Sequence, residues 1–105
     1  MKRILVIEDD PSVRGLILET LGLRDWDVRA ACDGAEGVET ALRELPDLIL
    51  CDIQMPAKNG FEVLQELRKS AATATTPFIF LTGLTEKPGM RQAMEDAILH
   101  FSNSS

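Results

Sequence analysis

The sequence predicts an α/β fold in which a doubly wound parallel sheet carries helices on both faces. Three continuous apolar runs, Arg3–Ile7, Leu48–Cys51 and residues 78–81, are too short for helices and are typical of strands buried on both faces of a parallel sheet. These runs alternate along the chain with segments whose apolar residues recur at helical spacing. Because crossovers between parallel strands are right-handed, this alternation predicts helices on both sides of one sheet.

Length and composition predict a single small domain covering residues 1–105. The 105 residues are 45% apolar and 27% charged, which is typical of an ordinary globular protein. The net charge of −6 and the scattering of the 11 Lys and Arg residues argue against a nucleic-acid surface. No apolar run is long enough for a membrane span or a secretory signal, so we expect a cytoplasmic protein. Cys32 and Cys51 lack metal-ligand spacing and are expected to be reduced, with Cys51 in the core.

The first predicted helix follows the first strand. Asp10 suits its N-cap and Pro11 its first position, and Gly22 ends it. Its predicted buried face consists of Val13, Leu16, Ile17 and Leu21.

The second strand, residues 26–31, alternates Trp26, Val28 and Ala30 against Asp27, Arg29 and Ala31, which predicts an edge strand with one solvated side. The Asp33-Gly34 turn then precedes a second helix whose predicted buried stripe is Ala35, Val38, Ala41, Leu42 and Leu45.

The third helix follows the Leu48–Cys51 strand and a turn at Asn59-Gly60. Its predicted apolar stripe is Phe61, Val63, Leu64 and Leu67, and a small polar loop of residues 70–76 leads to the fourth strand. Beyond Thr82 the pattern weakens. We predict a helix starting at Pro88, a short fifth strand at residues 98–101 and a frayed end at residues 102–105.

Oxygen-bearing side chains follow three of the predicted strands. Glu8 and Asp9 follow the first strand, Asp52 follows the third, and Thr82 follows the fourth. Functional sites in open α/β sheets lie at the carboxyl ends of the strands, so these residues are candidates for one shared site. Three carboxylates so close would raise one another's pKa values unless a cation neutralised them, and oxygen ligands favour Mg²⁺ before Ca²⁺ or Mn²⁺. Such a site would let an Asp52 carboxylate attack a phosphoryl group, with the Thr82 hydroxyl on one of its oxygens.

Each of these residues also has an alternative structural role. Asp52 could be a turn or helix-capping aspartate, and the Glu8-Asp9-Asp10 run could be a solvated turn. The Thr82 hydroxyl could bond the local backbone.

The chain resembles the receiver domain of bacterial two-component response regulators. The resemblance is carried by the segments 4–11, 48–56 and 78–83 and by the Asn59-Gly60 turn, and it is strongest over residues 2–95. It implies a flavodoxin-like fold with strand order 2-1-3-4-5. It also implies that Asp52 is the phosphoacceptor for a sensor histidine kinase or phosphotransfer protein. Glu8, Asp9, Asp52 and the backbone carbonyl of Gln54 would then hold Mg²⁺, and Thr82 would bind the phosphoryl group.

The carboxyl end, residues 96–105, departs from the family pattern. Counted without gaps, Phe101 falls on the position of an aromatic switch residue, but Ser104 and Ser105 stand where the family has Lys-Pro, and we expect the family's last helix to be missing. We therefore expect exposed apolar surface on one sheet face and possible homodimerisation through it. Lys58 and Lys87 are candidate substitutes for the lysine, although solvation is the simpler expectation for both. His100 is expected to be a half-buried strand residue.

Two functions remain open at this point. The chain is either a phosphoacceptor switch that is not an enzyme beyond its own phosphorylation, or a receiver-like interaction and dimerisation module that works without phosphate. The intact acidic residues favour the first function, and the missing lysine and helix favour the second. A phosphatase of the haloacid dehalogenase type is disfavoured, because Gln54 stands where that family needs its second aspartate.

Overall fold

A computed structural model of the protein describes residues 2–81. Within this range strands and helices alternate as predicted. The elements are β1 (Arg3–Ile7), α1 (Pro11–Leu21), β2 (Asp27–Ala31), α2 (Gly34–Glu44), β3 (Leu48–Cys51), α3 (Gly60–Arg68) and β4 (Phe78–Phe80). The helix and strand predicted beyond Thr82, the aromatic position at Phe101 and the predicted lack of a last helix lie outside the described residues.

The four strands form one parallel sheet in the order β2-β1-β3-β4. This order confirms the doubly wound arrangement, since the chain runs outward from β1 first to one side and then to the other. None of the helices within residues 2–81 has the length and hydropathy that a membrane span requires.

The sheet is packed on both faces. One buried cluster lies under α1, and Val13, Leu18 and the Trp26 ring pack against it; its members are Ile4, Val6, Ile17, Leu21, Leu48, Leu50 and Leu81. A second cluster lies under α2 and α3 and consists of Leu5, Ile7, Ala31, Ala41, Ile49, Cys51, Met55, Val63 and Leu67. Cys51 is therefore in the core, as predicted, and both cysteines are free thiols.

The expected exposure of one sheet face is not found in the described part of the chain. The strand side chains of the α1 cluster are at most 2% exposed. Val13, Leu18 and Trp26 are among the partly buried side chains that pack against this cluster. Homodimerisation through this face stays a prediction, because it rests on the carboxyl end, which lies outside the described residues.

Strand β2 is at the sheet edge, as predicted, but its predicted division into one buried and one solvated side is only partly correct. Val28 packs against the α1 cluster, whereas Ala30 is exposed and Ala31 is buried in the opposite cluster. The reason is that α1 and α2 lie on opposite sides of the sheet, so both sides of β2 meet a helix along part of their length.

Helix α2 approaches the sheet mainly through small side chains, and only Val38 and Ala41 of the predicted apolar stripe pack in the cluster beneath it. Its buried residues are Gly34, Gly37, Thr40 and Ala41. Leu42 and Leu45 are 44% and 51% exposed, so the prediction was wrong for both. A Cβ on Gly37 would lie 2.5 Å from Ile7 Cδ1, which shows how closely the helix backbone approaches β1.

Helix α3 begins in a capping box. The Asn59 side chain accepts from the Glu62 N–H at 3.0 Å, and the Glu62 carboxylate accepts from the Asn59 N–H at 3.0 Å. Gly60 follows at the first helical position and packs on the backbone after β3, where an added Cβ would lie 2.4 Å from the Asp52 carbonyl oxygen. This close approach fixes where the loop from β3 turns into α3.

We expect Gly60→Ala to lower the free energy of unfolding by about 1–3 kcal/mol, because the added methyl meets backbone atoms that cannot move aside. The matched control is Gly15→Ala in α1, where an added Cβ has no neighbour within 4 Å. That change should raise stability by about 0.5–1 kcal/mol through helix propensity. Urea unfolding followed by the fluorescence of Trp26 compares the two variants, and a neutral Gly60→Ala would contradict the packing described here.

Candidate functional site

The register of the parallel strands aligns the residues that follow them. Ile7 is the Cα partner of both Ala31 and Cys51. The ladder continues one step further, because the Glu8 N–H donates to the Ala31 carbonyl and the Asp52 N–H donates to the Ile7 carbonyl, each at 3.1 Å. Glu8 and Asp52 therefore leave the sheet side by side at its carboxyl edge.

Three carboxylates meet at this edge. One oxygen from each of Glu8, Asp9 and Asp52 lies within 4.8 Å of the others. Glu8 is only 2% exposed, whereas Asp9 and Asp52 are half-buried. The predicted convergence of these side chains is confirmed as geometry, and the alternative of a solvated turn fails for Glu8 because its side chain is inside the protein.

Burial changes the chemistry of Glu8. Desolvation raises the pKa of the Glu8 carboxyl from 4.5 to about 7. A hydrogen bond from the Asp10 backbone works against this rise, while the Asp9 side chain and the charges of Asp52 and Asp9 add to it. In the absence of a cation, this carboxyl is therefore only partly ionised near neutral pH.

The Cys51 thiol lies next to the acidic residues but is unreactive. Burial, followed by the charges of Asp52 and Glu8, raises the pKa of Cys51 to about 12. Its Sγ contacts the Asp52 carbonyl oxygen at 3.2 Å. Cys51 is therefore a protonated core residue beneath the site and not a nucleophile.

The loop that carries the acidic pair is held by the first turn of α1. Asp10 caps this helix, as predicted, because its carboxylate accepts from the Ser12 and Val13 N–H groups. The Asp10 N–H donates to the Glu8 carboxylate at 3.1 Å. Sequence reasoning missed Arg14, whose Nη1 donates to the Glu8 carbonyl at 2.9 Å. The signal available in the sequence was a basic residue in the first helical turn after an acidic run.

The loop between β3 and α3 forms the other side of the site. The Gly60 N–H donates to the Ile53 carbonyl at 2.8 Å, and Ala57 has a left-handed backbone with φ of 66°. The Lys58 ammonium forms an ion pair with the Glu66 carboxylate of α3. The charge of this candidate lysine is thus already paired on the helix. Gln54 stands two residues after Asp52 in the same loop.

The donor set suits a hard divalent cation. All the converging ligand atoms are carboxylate oxygens, the preference of Mg²⁺, Ca²⁺ and Mn²⁺. Desolvation is the main cause of the raised pKa of Glu8, and the charges of Asp52 and Asp9 add to it, so a bound cation would stabilise the ionised form of this carboxyl. Of the predicted site residues, Glu8, Asp9 and Asp52 are brought together here, while Thr82 and Phe101 lie outside the described residues, as do Lys87 and His100.

Comparison with known proteins places this site in a family. The family model described as the response regulator receiver domain matches residues 4–101. Protein PilH of Pseudomonas aeruginosa is 35% identical over 100 residues, covering 91% of this chain and 83% of PilH. The regulator RpaA of Synechocystis sp. is 42% identical over 84 residues, covering 80% of this chain but only 35% of RpaA. This chain therefore spans about a third of the length of that relative.

A solved structure resembles the whole fold. The receiver domain of the sensor histidine kinase PA1611 from Pseudomonas aeruginosa superposes with a TM-score of 0.84 at 25% identity, covering 98% of each chain. That protein holds a magnesium ion in its active-site cleft. With a matching family model over nearly its full length, and with the strand order and acidic residues described above, the chain belongs to the response regulator receiver domain family of two-component signalling.

Proposed function

We propose that this receiver domain accepts a phosphoryl group on Asp52 from a sensor histidine kinase or a phosphotransfer protein. The observation that carries the proposal is the meeting of Asp52 with Glu8 and Asp9, with one oxygen of each within 4.8 Å of the others. Asp52 is half-buried and so is partly exposed to a donor, while Glu8 beside it is enclosed. This difference in exposure supports a role for Asp52 as the carboxylate that reacts and for Glu8 as a carboxylate that binds the metal ion.

Glu8, Asp9, Asp52 and the Gln54 backbone carbonyl are the proposed ligands of Mg²⁺. The bound ion supplies charge neutralisation for the oxygens of the phosphoryl group being transferred. The magnesium of the PA1611 receiver supports this choice of ion. A proton on Glu8 competes with the cation. Mg²⁺ binding near neutral pH should therefore release the proton from Glu8.

In the proposed step, an Asp52 carboxylate oxygen attacks phosphorus as the bond from phosphorus to the donor histidine nitrogen breaks. The product is an aspartyl phosphate on this chain and a free histidine on the donor. The fixed backbone on either side of Asp52 positions the attacking oxygen, because its N–H is bonded to Ile7 and its carbonyl packs against Gly60. We propose no catalysis by this chain beyond its own phosphorylation.

The output of phosphorylation is proposed to be a change in a protein-binding face. On the family resemblance, Thr82 binds the phosphoryl group and Phe101 is the aromatic that responds. The acidic charge of −6 supports a protein partner rather than direct contact with nucleic acid. The phosphate-independent interaction module is the weaker proposal, because it gives no reason to gather three carboxylates around one point.

We expect intact mass spectrometry to show one added phosphoryl group after incubation with acetyl phosphate and Mg²⁺, and none in Asp52→Asn. The substitution keeps the size of the side chain but removes the nucleophilic carboxylate. Chelating the metal with EDTA should also abolish the adduct.

Asp25→Asn is the matched control for this experiment, since Asp25 is exposed in the loop between α1 and β2. It should be labelled like the wild type. An adduct that persists in Asp52→Asn would overturn the assignment of the phosphoacceptor. A folded wild type that is never labelled would favour the interaction module instead.

The pKa of Glu8 also predicts how stability depends on pH in the absence of metal. Between its ordinary value of 4.5 and the folded value of about 7, the folded protein keeps a proton that the unfolded chain has released. The free energy of unfolding should therefore fall as pH rises through this window. Glu8→Gln, which stays neutral, should be the more stable protein at pH 8 by about 1–3 kcal/mol.

Urea unfolding in EDTA at pH 8 and at pH 5 measures this effect through Trp26 fluorescence. The advantage of Glu8→Gln should shrink to less than about 1 kcal/mol at pH 5, where the folded wild type is itself protonated. Equal stabilities at pH 8 would show that the Glu8 carboxylate bears no desolvation cost.

A further inference from the structure

Arg14 connects helix α1 to the acidic loop through two separate bonds. Its guanidinium Nη1 donates to the Glu8 carbonyl at 2.9 Å. Its backbone N–H donates to the Asp10 carbonyl at 2.9 Å as part of the first helical turn. The side chain is half-buried, so the bond from guanidinium to carbonyl is partly shielded from competing water.

The accepting carbonyl belongs to the peptide that joins Glu8 to Asp9. The N–H of Glu8 is fixed on β2 by its bond to the Ala31 carbonyl, and the carbonyl of Glu8 is fixed on α1 by Arg14. A peptide group is planar, so holding its oxygen also sets the direction in which the chain enters Asp9. Without the guanidinium, this peptide could rotate and carry the Asp9 carboxylate away from Asp52.

The Glu8 carboxylate depends on the same loop geometry. It accepts from the Asp10 N–H, and Asp10 is placed by its own cap on α1. Arg14, Asp10 and Glu8 are therefore linked by hydrogen bonds that connect the end of β1, the acidic loop and the first turn of α1. The guanidinium of Arg14 bonds the backbone oxygen of Glu8, so this contact does not itself use a carboxylate oxygen.

We propose that Arg14 is a positioning residue for the acidic site, acting through the Glu8 carbonyl to hold Asp9 and Glu8 at cation-binding distance from Asp52. This inference rests on the proposed function, because it assigns Arg14 a part in the same Mg²⁺ site. Loss of a residue that orients ligands typically weakens metal affinity by about 10–100-fold.

The test compares Arg14→Met with a closely matched control, Arg68→Met. Arg68 lies on α3 and its Nη1 also donates to a backbone carbonyl, that of Thr73, at 2.9 Å. Both variants lose one positive charge and one bond from guanidinium to carbonyl, but only Arg14 touches the acidic loop. Isothermal titration with MgCl₂ measures affinity, and amide hydrogen exchange without metal measures protection at Asp10.

We expect Arg14→Met to bind Mg²⁺ about tenfold more weakly than the wild type and to lose protection at the Asp10 amide. Arg68→Met should match the wild type in both measurements. Arg14→Lys, which can still donate to a carbonyl, should recover part of the affinity, a rescue that a general loss of stability would not produce.

Each outcome decides a separate point. A wild type that does not bind Mg²⁺ overturns the proposed metal site, and exchange at Asp10 still tests the role of Arg14. If the wild type binds, a loss in Arg14→Met that is smaller than about threefold relative to Arg68→Met overturns the positioning role. If Arg14→Met does not fold, Arg14→Gln, whose side chain is too short for the same reach, is judged by the same threshold.

Discussion

The parallel register around Ile7 is the constraint on which the site depends. Ile7 is paired with Ala31 on one side and with Cys51 on the other, so the residues that follow these three lie side by side at the carboxyl edge of the sheet. The hydrogen bonds donated by the Glu8 and Asp52 N–H groups continue the ladder one residue past the strands. A shift of one residue would send the carboxylates to opposite faces of the sheet. The carboxylates can therefore meet only while this ladder is intact.

The site is built at a cost to the fold. Glu8 is a carboxyl placed where desolvation opposes its charge, and Ala57 adopts a left-handed backbone that favours glycine. Gly60 permits a backbone approach that any side chain would prevent. The apolar clusters, one on each side of the sheet, offset these unfavourable free energies, since their strand residues are almost fully buried. Such a balance is typical of functional sites, where local rules are broken and global packing compensates.

The two faces of the sheet are covered in different ways, and this difference shapes the loops. Helix α1 uses large side chains such as Ile17 and Leu21, whereas α2 approaches through Gly34 and Gly37. The close approach of α2 brings its first residue against the loop after β3, where a Cβ on Gly34 would lie 2.8 Å from the Lys58 carbonyl. The loop that follows Asp52 is thus supported by α2 from one side and by the start of α3 from the other.

The amino-acid sequence was enough to predict the alternation of strands and helices, the cap at Asp10, the turn at Asn59-Gly60 and the candidate carboxylates. These features depend on local propensity, on apolar periodicity and on where strands end, and all of these can be read along the chain. The packed structure was needed to show that α2 is buried mainly through small residues, that Leu42 and Leu45 are exposed, and that Ala31 is covered while Ala30 is not. It was also needed to show the burial of Glu8 and the bond from Arg14 to the Glu8 carbonyl. These properties depend on the distances between elements far apart in the chain, and no local pattern sets those distances.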